Sequence, residues 1–294
     1  KILVNSLGAA KYAEEVEQEW LASDREAIAI TESYIAEIAS AFAPPEYDRS
    51  PVDVAALERA IAGNPAFARW IKHNVHAHRV SGHAIVTISL KEVGKTGGDI
   101  SAEQMDLVAD LADEVSFGEA RVAYEQDLVL PHVRCDRLLP LWQRLEAAGL
   151  GSSNKDLVTD IICCPGLDYC GLATARSIPV AQRIAKHMAA KEDAIGTFNI
   201  KMSGCINACG HHHLGHIGLL GVEKNGEEVY QITLGGDAGH NAAIGTIIGP
   251  SVKSEDVPAA IDTLIGVYMR LRQAGERFPE TYRRVGQAPF KEAL

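Results

Sequence analysis

Two short cysteine segments constrain this chain more than any other feature: Cys164-Pro-Gly-Leu-Asp-Tyr-Cys170 and Ser203-Gly-Cys205-Ile-Asn-Ala-Cys209-Gly. Each follows a stretch that reads as a β-strand, so the fold must bring two strand ends together with four thiols on the loops beyond them. A thiolate at a strand end that leads into a helix lies near free backbone N–H groups and the positive end of the helix dipole, which lowers its pKa and favours metal ligation. Gly166, Gly204 and Gly210 keep bulk away from these loops. Four thiolates suit a cubane iron-sulfur cluster, whose sulfurs accept hydrogen bonds from the same amides. They also suit a structural zinc ion, but paired zinc ligands are usually separated by two to four residues. Here five residues separate the first pair and three the second, which favours the cluster and leaves zinc as the alternative.

Of the six cysteines, five crowd between positions 163 and 209, unlike the spread bridges of a secreted disulfide scaffold. Cys135 and Cys163 lie outside the spacing and are read as small buried hydrophobes. The 294 residues are 47% hydrophobic, enough for one large core or two moderate ones. A formal charge of −11 without a local basic patch argues against a nucleic-acid partner. There is no run of about 18 apolar residues and no cationic leader, so a cytoplasmic protein without membrane contact is expected.

Along the chain, Tyr12, Val16 and Trp20 have helical spacing among glutamates that form a solvated face, and Glu32 to Phe42 forms a second helix ended by Pro44-Pro45. Residues 43–53 read as a linker. Short helices are predicted over Val54 to Ala62 and Ala66 to Lys72, and a strand where Ala84, Val86, Ile88 and Leu90 alternate with their neighbours. A Gly-rich turn from Gly94 to Gly98 leads to Ser101, an N-cap with Gln104 three residues on, and a helix to about Val115. Arg121 to Leu130 reads as one further strand. Strand, helix, strand in this order resembles half of a ferredoxin-like unit. Beyond Leu138 the pattern is α/β: a helix to Ala148, a strand ending at the first cysteine pair, a helix from Gly171 to Ala190 and a strand from Thr197 to Ser203. Strands then flank the turn Lys224-Asn225-Gly226, and a helix runs from about Glu255 to Gln273.

The two cysteine segments, a C-x5-C followed about 35 residues later by a C-x3-C, resemble those of the siroheme-dependent nitrite and sulfite reductases. The resemblance extends over nearly the whole chain, including Gly-His-His-His at 210–213. It implies an α+β fold: a ferredoxin-like half-domain followed by an α/β module that binds siroheme and a [4Fe-4S] cluster, the second pseudo-repeat of that family's fold. On this reading residues 1–73 are the helical tail of the first repeat and a linker, 74–134 the half-domain, and 135–294 the cofactor-binding module. Cys164, Cys170, Cys205 and Cys209 would hold the cluster, and Cys209 would also be the axial ligand of the siroheme iron. Asn207 matches the motif asparagine, whereas Ile206 stands where many members have proline. Arg121 and Gln126 fall in what resembles the family's haem-contacting strand R-x-x-x-x-Q-N-L, with Asp127 replacing its asparagine. Lys1 falls on the second member of an anion-binding basic pair and is the catalytic candidate.

The implied function is six-electron reduction of sulfite, or alternatively of nitrite, fed by a ferredoxin or a flavoprotein subunit. The substrate-clamping arginines of the family lie in its N-terminal half. The chain opens as a piece of something longer would, and by itself it is expected to be inactive. His211, His212, His213 and His216 are read as packing groups or as donors to cluster sulfurs and haem carboxylates. His73, His76, His78 and His83 are read as solvated loop histidines.

Overall fold

The computed structural model describes residues 2–294. Lys1 lies outside the described residues. Contacts divide the chain into a unit ending at Asp48 and a larger one, Arg49–Leu294. The first comprises α1 (Ile2–Leu7), α2 (Ala9–Ala22) and α3 (Glu32–Ala41). Thr31 starts α3 by accepting a hydrogen bond from the Tyr34 N–H, as a threonine N-cap should. None of these helical residues is buried.

The larger unit opens with α4 (Val54–Gly63) and α5 (Pro65–Asn74), where Asn64 ends one helix and caps the next. An antiparallel sheet in the order β1-β2-β4-β3 follows, from β1 (Val75–Ala77), β2 (His83–Ile88), β3 (Arg121–Val122) and β4 (Leu128–Arg134). Between β2 and β3 runs α6 (Ala102–Val115), opened by a complete capping box of Ser101 and Gln104. With α7 (Leu138–Ala147), α6 covers one core: Phe67 and Trp70 of α5, Val86 and Ile88 of β2, Leu111 of α6, Leu130 and Val133 of β4, and Leu141 and Leu145 of α7. This is the expected strand-helix-strand half-domain.

The second sheet is mixed, in the order β5-β6-β7-β8-β9. Its strands are β5 (Ile162–Cys163), β6 (Ile200–Ser203), β7 (Ile217–Lys224), β8 (Glu227–Leu234) and β9 (Thr246–Lys253). The first three run parallel and the rest antiparallel. Between β5 and β6 lie α8 (Ile178–Met188) and the single turn α9 (Glu192–Ile195). After β9 come α10 (Val257–Leu271), α11 (Phe278–Val285) and α12 (Ala288–Ala293). Helices α8 and α10 press Val180, Ile184, Ile261 and Leu264 against Ile200, Met202, Ile217 and Leu219. Because side chains alternate along a strand, Lys201 and Ser203 of β6 face the opposite side of the sheet.

Three expectations are corrected here. Arg121 to Leu130 is a hairpin rather than one strand: Gln126 takes φ 66°, and the Ala123 N–H bonds the Asp127 carbonyl across the turn. The misleading alternation came from Val122 and Tyr124, both more than half exposed. The helix expected from Gly171 begins at Ile178, because the N–H groups of Thr174 and Ala175 are spent on the Gly204 carbonyl instead of a helical turn. The histidines expected in solvated loops are split: His83 is buried on β2, and the His78 ring packs against both His83 and His132.

Candidate cofactor site

The four motif cysteines lie on two loops at the C-terminal ends of β5 and β6, neighbouring parallel strands. Their approach is enforced by backbone contact. Gly166, at φ 62°, packs against Gly204 so closely that a Cβ on Gly204 would lie 3.0 Å from the Gly166 Cα and 2.7 Å from the Ala175 oxygen. The Cys164 N–H donates to the Met202 carbonyl (3.1 Å), extending the β5-β6 pairing into the first loop. The second loop closes where the Gly210 N–H donates to Ser203 Oγ at 3.1 Å.

All six cysteines are free. Cys164 and Cys205 are buried, Cys170 is half-buried and Cys209 is exposed. The Gly204 N–H donates to Cys164 Sγ at 3.0 Å, and Ser177 Oγ lies 3.5 Å from the same sulfur. The donor toward Cys164 therefore comes from the opposite loop rather than from a helix directly following its own strand, which continues instead into a short 3-10 turn at Gly166–Asp168. Among the described residues, no three side chains of His, Cys, Asp or Glu gather as a single metal ion requires. The donor set is all thiol, spread over two loops, with an amide donor and a hydroxyl beside the buried sulfur of Cys164, which is the donor chemistry an iron-sulfur cluster takes.

The other candidates occupy different surroundings. Asn207 is exposed at the tip of the second loop, followed by Ala208 at φ 59°. Arg121 is exposed and bonds Glu119. Gln126 turns its amide onto the backbone of Cys163, accepting from its N–H at 3.1 Å and donating to its carbonyl at 2.8 Å. Strand β5 is an edge of its sheet, so this side chain takes the place of a missing strand beside the residue that precedes Cys164. Asp127 is 1% exposed and bonds the ammonium groups of Lys91 (2.7 Å) and Lys155 (3.1 Å). The same two lysines reach Asp160 at 2.8 and 3.3 Å. Burial alone would raise the Asp160 carboxyl, but the two ammonium groups outweigh it and hold the pKa below the ordinary value. The hairpin is thus bolted to both Asp160 and Cys163, on the segment that delivers Cys164.

Cys163 is buried on β5, and its thiol is pushed up to about 12 by burial and by the neighbouring Cys164. His211 lies against the Tyr124 ring (5.9 Å between centroids), and His212 is buried with its ring on His213. His216 accepts from the Asn199 N–H at 3.1 Å inside an aromatic nest of Phe198 and Phe278. Burial lowers its pKa from 6.5 to about 4. As pH falls through that window the unfolded chain takes up a proton that the folded chain refuses, so stability drops, by at most about 3 kcal/mol. Urea midpoints between pH 7 and 4 should fall more steeply for the wild type than for His216→Gln, and equal slopes would remove His216 as the cause.

Ser177, Tyr124 and Lys201 also belong to this region and were not singled out from the sequence. Lys201 did carry a signal, as a lone charge in the apolar strand Ile200 to Ser203. Ser177 carried none, because its proximity to Cys164 exists only after the 171–177 loop has folded back.

The profile of the nitrite and sulphite reductase 4Fe-4S domain matches residues 154–294, and that of the nitrite/sulfite reductase ferredoxin-like half domain matches residues 92–148. The chain belongs to the nitrite and sulfite reductase family. The match to a 4Fe-4S domain agrees with the preference for a cluster over zinc, and the cofactors of the family are that cluster and siroheme. Among family relatives, ferredoxin–nitrite reductase of Zea mays is 29% identical over 238 residues, covering 75% of this chain and 40% of that protein. The sulfite reductase [NADPH] hemoprotein beta-component of Methylobacterium nodulans is 29% identical over 181 residues, covering 59% and 29%. The chain thus spans two fifths or less of the length of these relatives. The solved structure of Mycobacterium tuberculosis NirA shares the fold, with a TM-score of 0.62 at 22% identity over 98% of this chain and 48% of that one.

Proposed function

We propose that this chain is the cofactor-binding part of a reductase that converts sulfite to sulfide, with Cys164, Cys170, Cys205 and Cys209 holding the cluster. The observation that carries the reading is the asymmetry of the four thiols: Cys164 and Cys205 are buried, whereas Cys209 is exposed at the end of the second loop, open to a second group on its outer side. When bound, siroheme and cluster would relay the six electrons of the reduction from an external donor, one at a time. The chain's own residues set the frame. Gly204 and Ser177 serve the buried sulfur of Cys164, Ser203 holds the second loop shut, and Gln126 fixes the end of β5. Asn207, Arg121 and Lys1 are carried as candidates for contact with the cofactors or the anion.

Residues 1–73 are proposed as helical tail and linker, 74–134 as half-domain and 135–294 as the module that carries both cofactors. The anion is then clamped by basic groups of the N-terminal half of the same enzyme, and the 294 residues alone do not turn over. Electrons come from a ferredoxin or a flavoprotein subunit in the cytoplasm; no helix among the described residues is long and apolar enough to cross a membrane. Reduction of nitrite to ammonia is the second reading, favoured by the greater share of this chain that the maize nitrite reductase covers. Steady-state assays of the intact protein with both anions decide between them: sulfide from sulfite at the higher kcat/KM is expected, and ammonia from nitrite with no sulfide would transfer the assignment. A colourless protein containing zinc would sink both.

A further inference from the structure

Three lysines are buried around the hairpin that faces the cysteine loops: Lys91, Lys155 and Lys201. The first two each meet two carboxylates, Asp127 and Asp160, within 3.3 Å. Lys201 is 1% exposed, yet among the described residues its ammonium group has no hydrogen bond and no ion pair, and Glu125 and Asp160 act on it only through space. What it meets is the face of Tyr124, with Nζ 5.1 Å from the ring centroid. A tyrosine face attracts a cation, but far more weakly than burial penalises an unpaired one. Burial accordingly dominates at Lys201 and lowers its pKa, with Glu125 and Asp160 pulling against it and Lys155 and Lys91 adding to it. This chain pairs its other buried lysines, so an unpaired one calls for a partner that comes from outside.

The direction from which a partner would come is set by the sheet. Lys201 and Ser203 share the face of β6 away from the α8 and α10 core, and Ser203 Oγ holds the loop that ends in Cys209. The Tyr124 ring that covers Lys201 sits at the hairpin turn, is 59% exposed, and packs on His211, two residues beyond Cys209. Lys201, Tyr124 and His211 thus form a column running from the buried cation out to the loop that carries the exposed thiol. We propose that Lys201 is an anion receptor beneath a Tyr124 lid, taking up a carboxylate or small oxyanion that arrives on the Cys209 side. The carboxylate would come from the side chains of the tetrapyrrole, the oxyanion from solution; both present the same charged oxygens to the ammonium group. Naming the tetrapyrrole rests on the proposed function, whereas the receptor itself rests on the unpaired cation.

The test compares intact wild-type protein with Lys201→Met and Lys201→Arg. Siroheme release is followed by absorbance and cluster iron is measured separately. The siroheme-free, cluster-loaded forms are titrated with sulfite and with inorganic phosphate while the tyrosine difference spectrum is recorded. If the tetrapyrrole supplies the anion, Lys201→Met should release siroheme about tenfold faster or more with unchanged iron, and Lys201→Arg should restore retention. If a free oxyanion supplies it, siroheme release is unchanged, and sulfite or phosphate perturbs the tyrosine spectrum saturably in the wild type but not in Lys201→Met. In either case the ligand-free Lys201→Met protein should unfold at a higher urea concentration than the wild type, because a buried cation held only by a tyrosine face has been removed. A merely structural lysine gives the opposite sign. Equal siroheme release and equal anion response in wild type and Lys201→Met, with a lowered urea midpoint, would overturn the proposal. A wild-type protein that takes up no siroheme would count against the cofactor assignment alone, and the oxyanion titration would still decide on Lys201.

Discussion

Gly210→Ala is expected to abolish cluster binding while leaving all four cysteines in the sequence. A Cβ at this position would run into the carbonyl carbon and oxygen of Met202 and stand 3.2 Å from the nitrogen of Cys164. All of these are backbone atoms, so no side chain can rotate out of the way. The loop would have to lift, and with it would go two buried hydrogen bonds: Gly210 N–H to Ser203 Oγ, and Cys164 N–H to the Met202 carbonyl. Overpacking costs about 1–3 kcal/mol, and each unsatisfied buried group adds a similar amount, so a loss of roughly 3 kcal/mol or more is expected. The effect on the site should be greater than the effect on stability, because the displaced segment carries Cys205 and Cys209 directly. Iron and acid-labile sulfide per polypeptide should approach zero. Full iron content in Gly210→Ala would show that the loops do not need this approach.

Asp160→Asn should give a large stability loss for an isosteric change. Lys91, Lys155, Asp127 and Asp160 form a closed square of charges with sides of 2.7 to 3.3 Å, buried where the hairpin meets the segment leading to Cys164. Two cations against two anions balance, and Asp160→Asn leaves an excess positive charge in a buried site. Breaking such a network from one side costs about 3–5 kcal/mol. Adding Lys91→Met to Asp160→Asn restores neutrality and should recover part of the loss, so the double variant should be less destabilised than the sum of the singles. Urea unfolding of the four proteins of this cycle measures the coupling, and strict additivity would show that the charges do not act as a unit. Since the same hairpin carries Gln126, Asp160→Asn should also loosen β5 and lower cluster occupancy.

The cysteine loops were legible because their chemistry is local: residue type, spacing and the glycines between them appear in the sequence in the order in which they are used. Helix α6 was legible for the same reason, since Ser101 and Gln104 satisfy its first amides within four residues. The hairpin at 121–130 was not. Val122 and Tyr124 alternate as a strand would, and the reversal at Gln126 is stabilised by groups far along the chain, Cys163 and the lysines at 91 and 155. The start of α8 was hidden in the same way, because the Gly204 carbonyl that holds residues 174 and 175 out of the helix lies about thirty positions later. The histidines at 78 and 83 looked like loop residues until the pairing of β2 with β4 set them against His132.

The sequence by itself determined the fold class, the half-domain with its helix, the four thiols and the family resemblance, all of which follow from short-range pattern. Only the tertiary structure decided that Gln126 faces the backbone of Cys163, that Asp127 is one corner of a buried square of charges, and that Lys201 is buried against the Tyr124 ring without a carboxylate. Those three facts depend on which surfaces meet when the half-domain folds over the end of the second sheet. In that dehydrated junction every charge must find a counter-charge or stand out for lack of one.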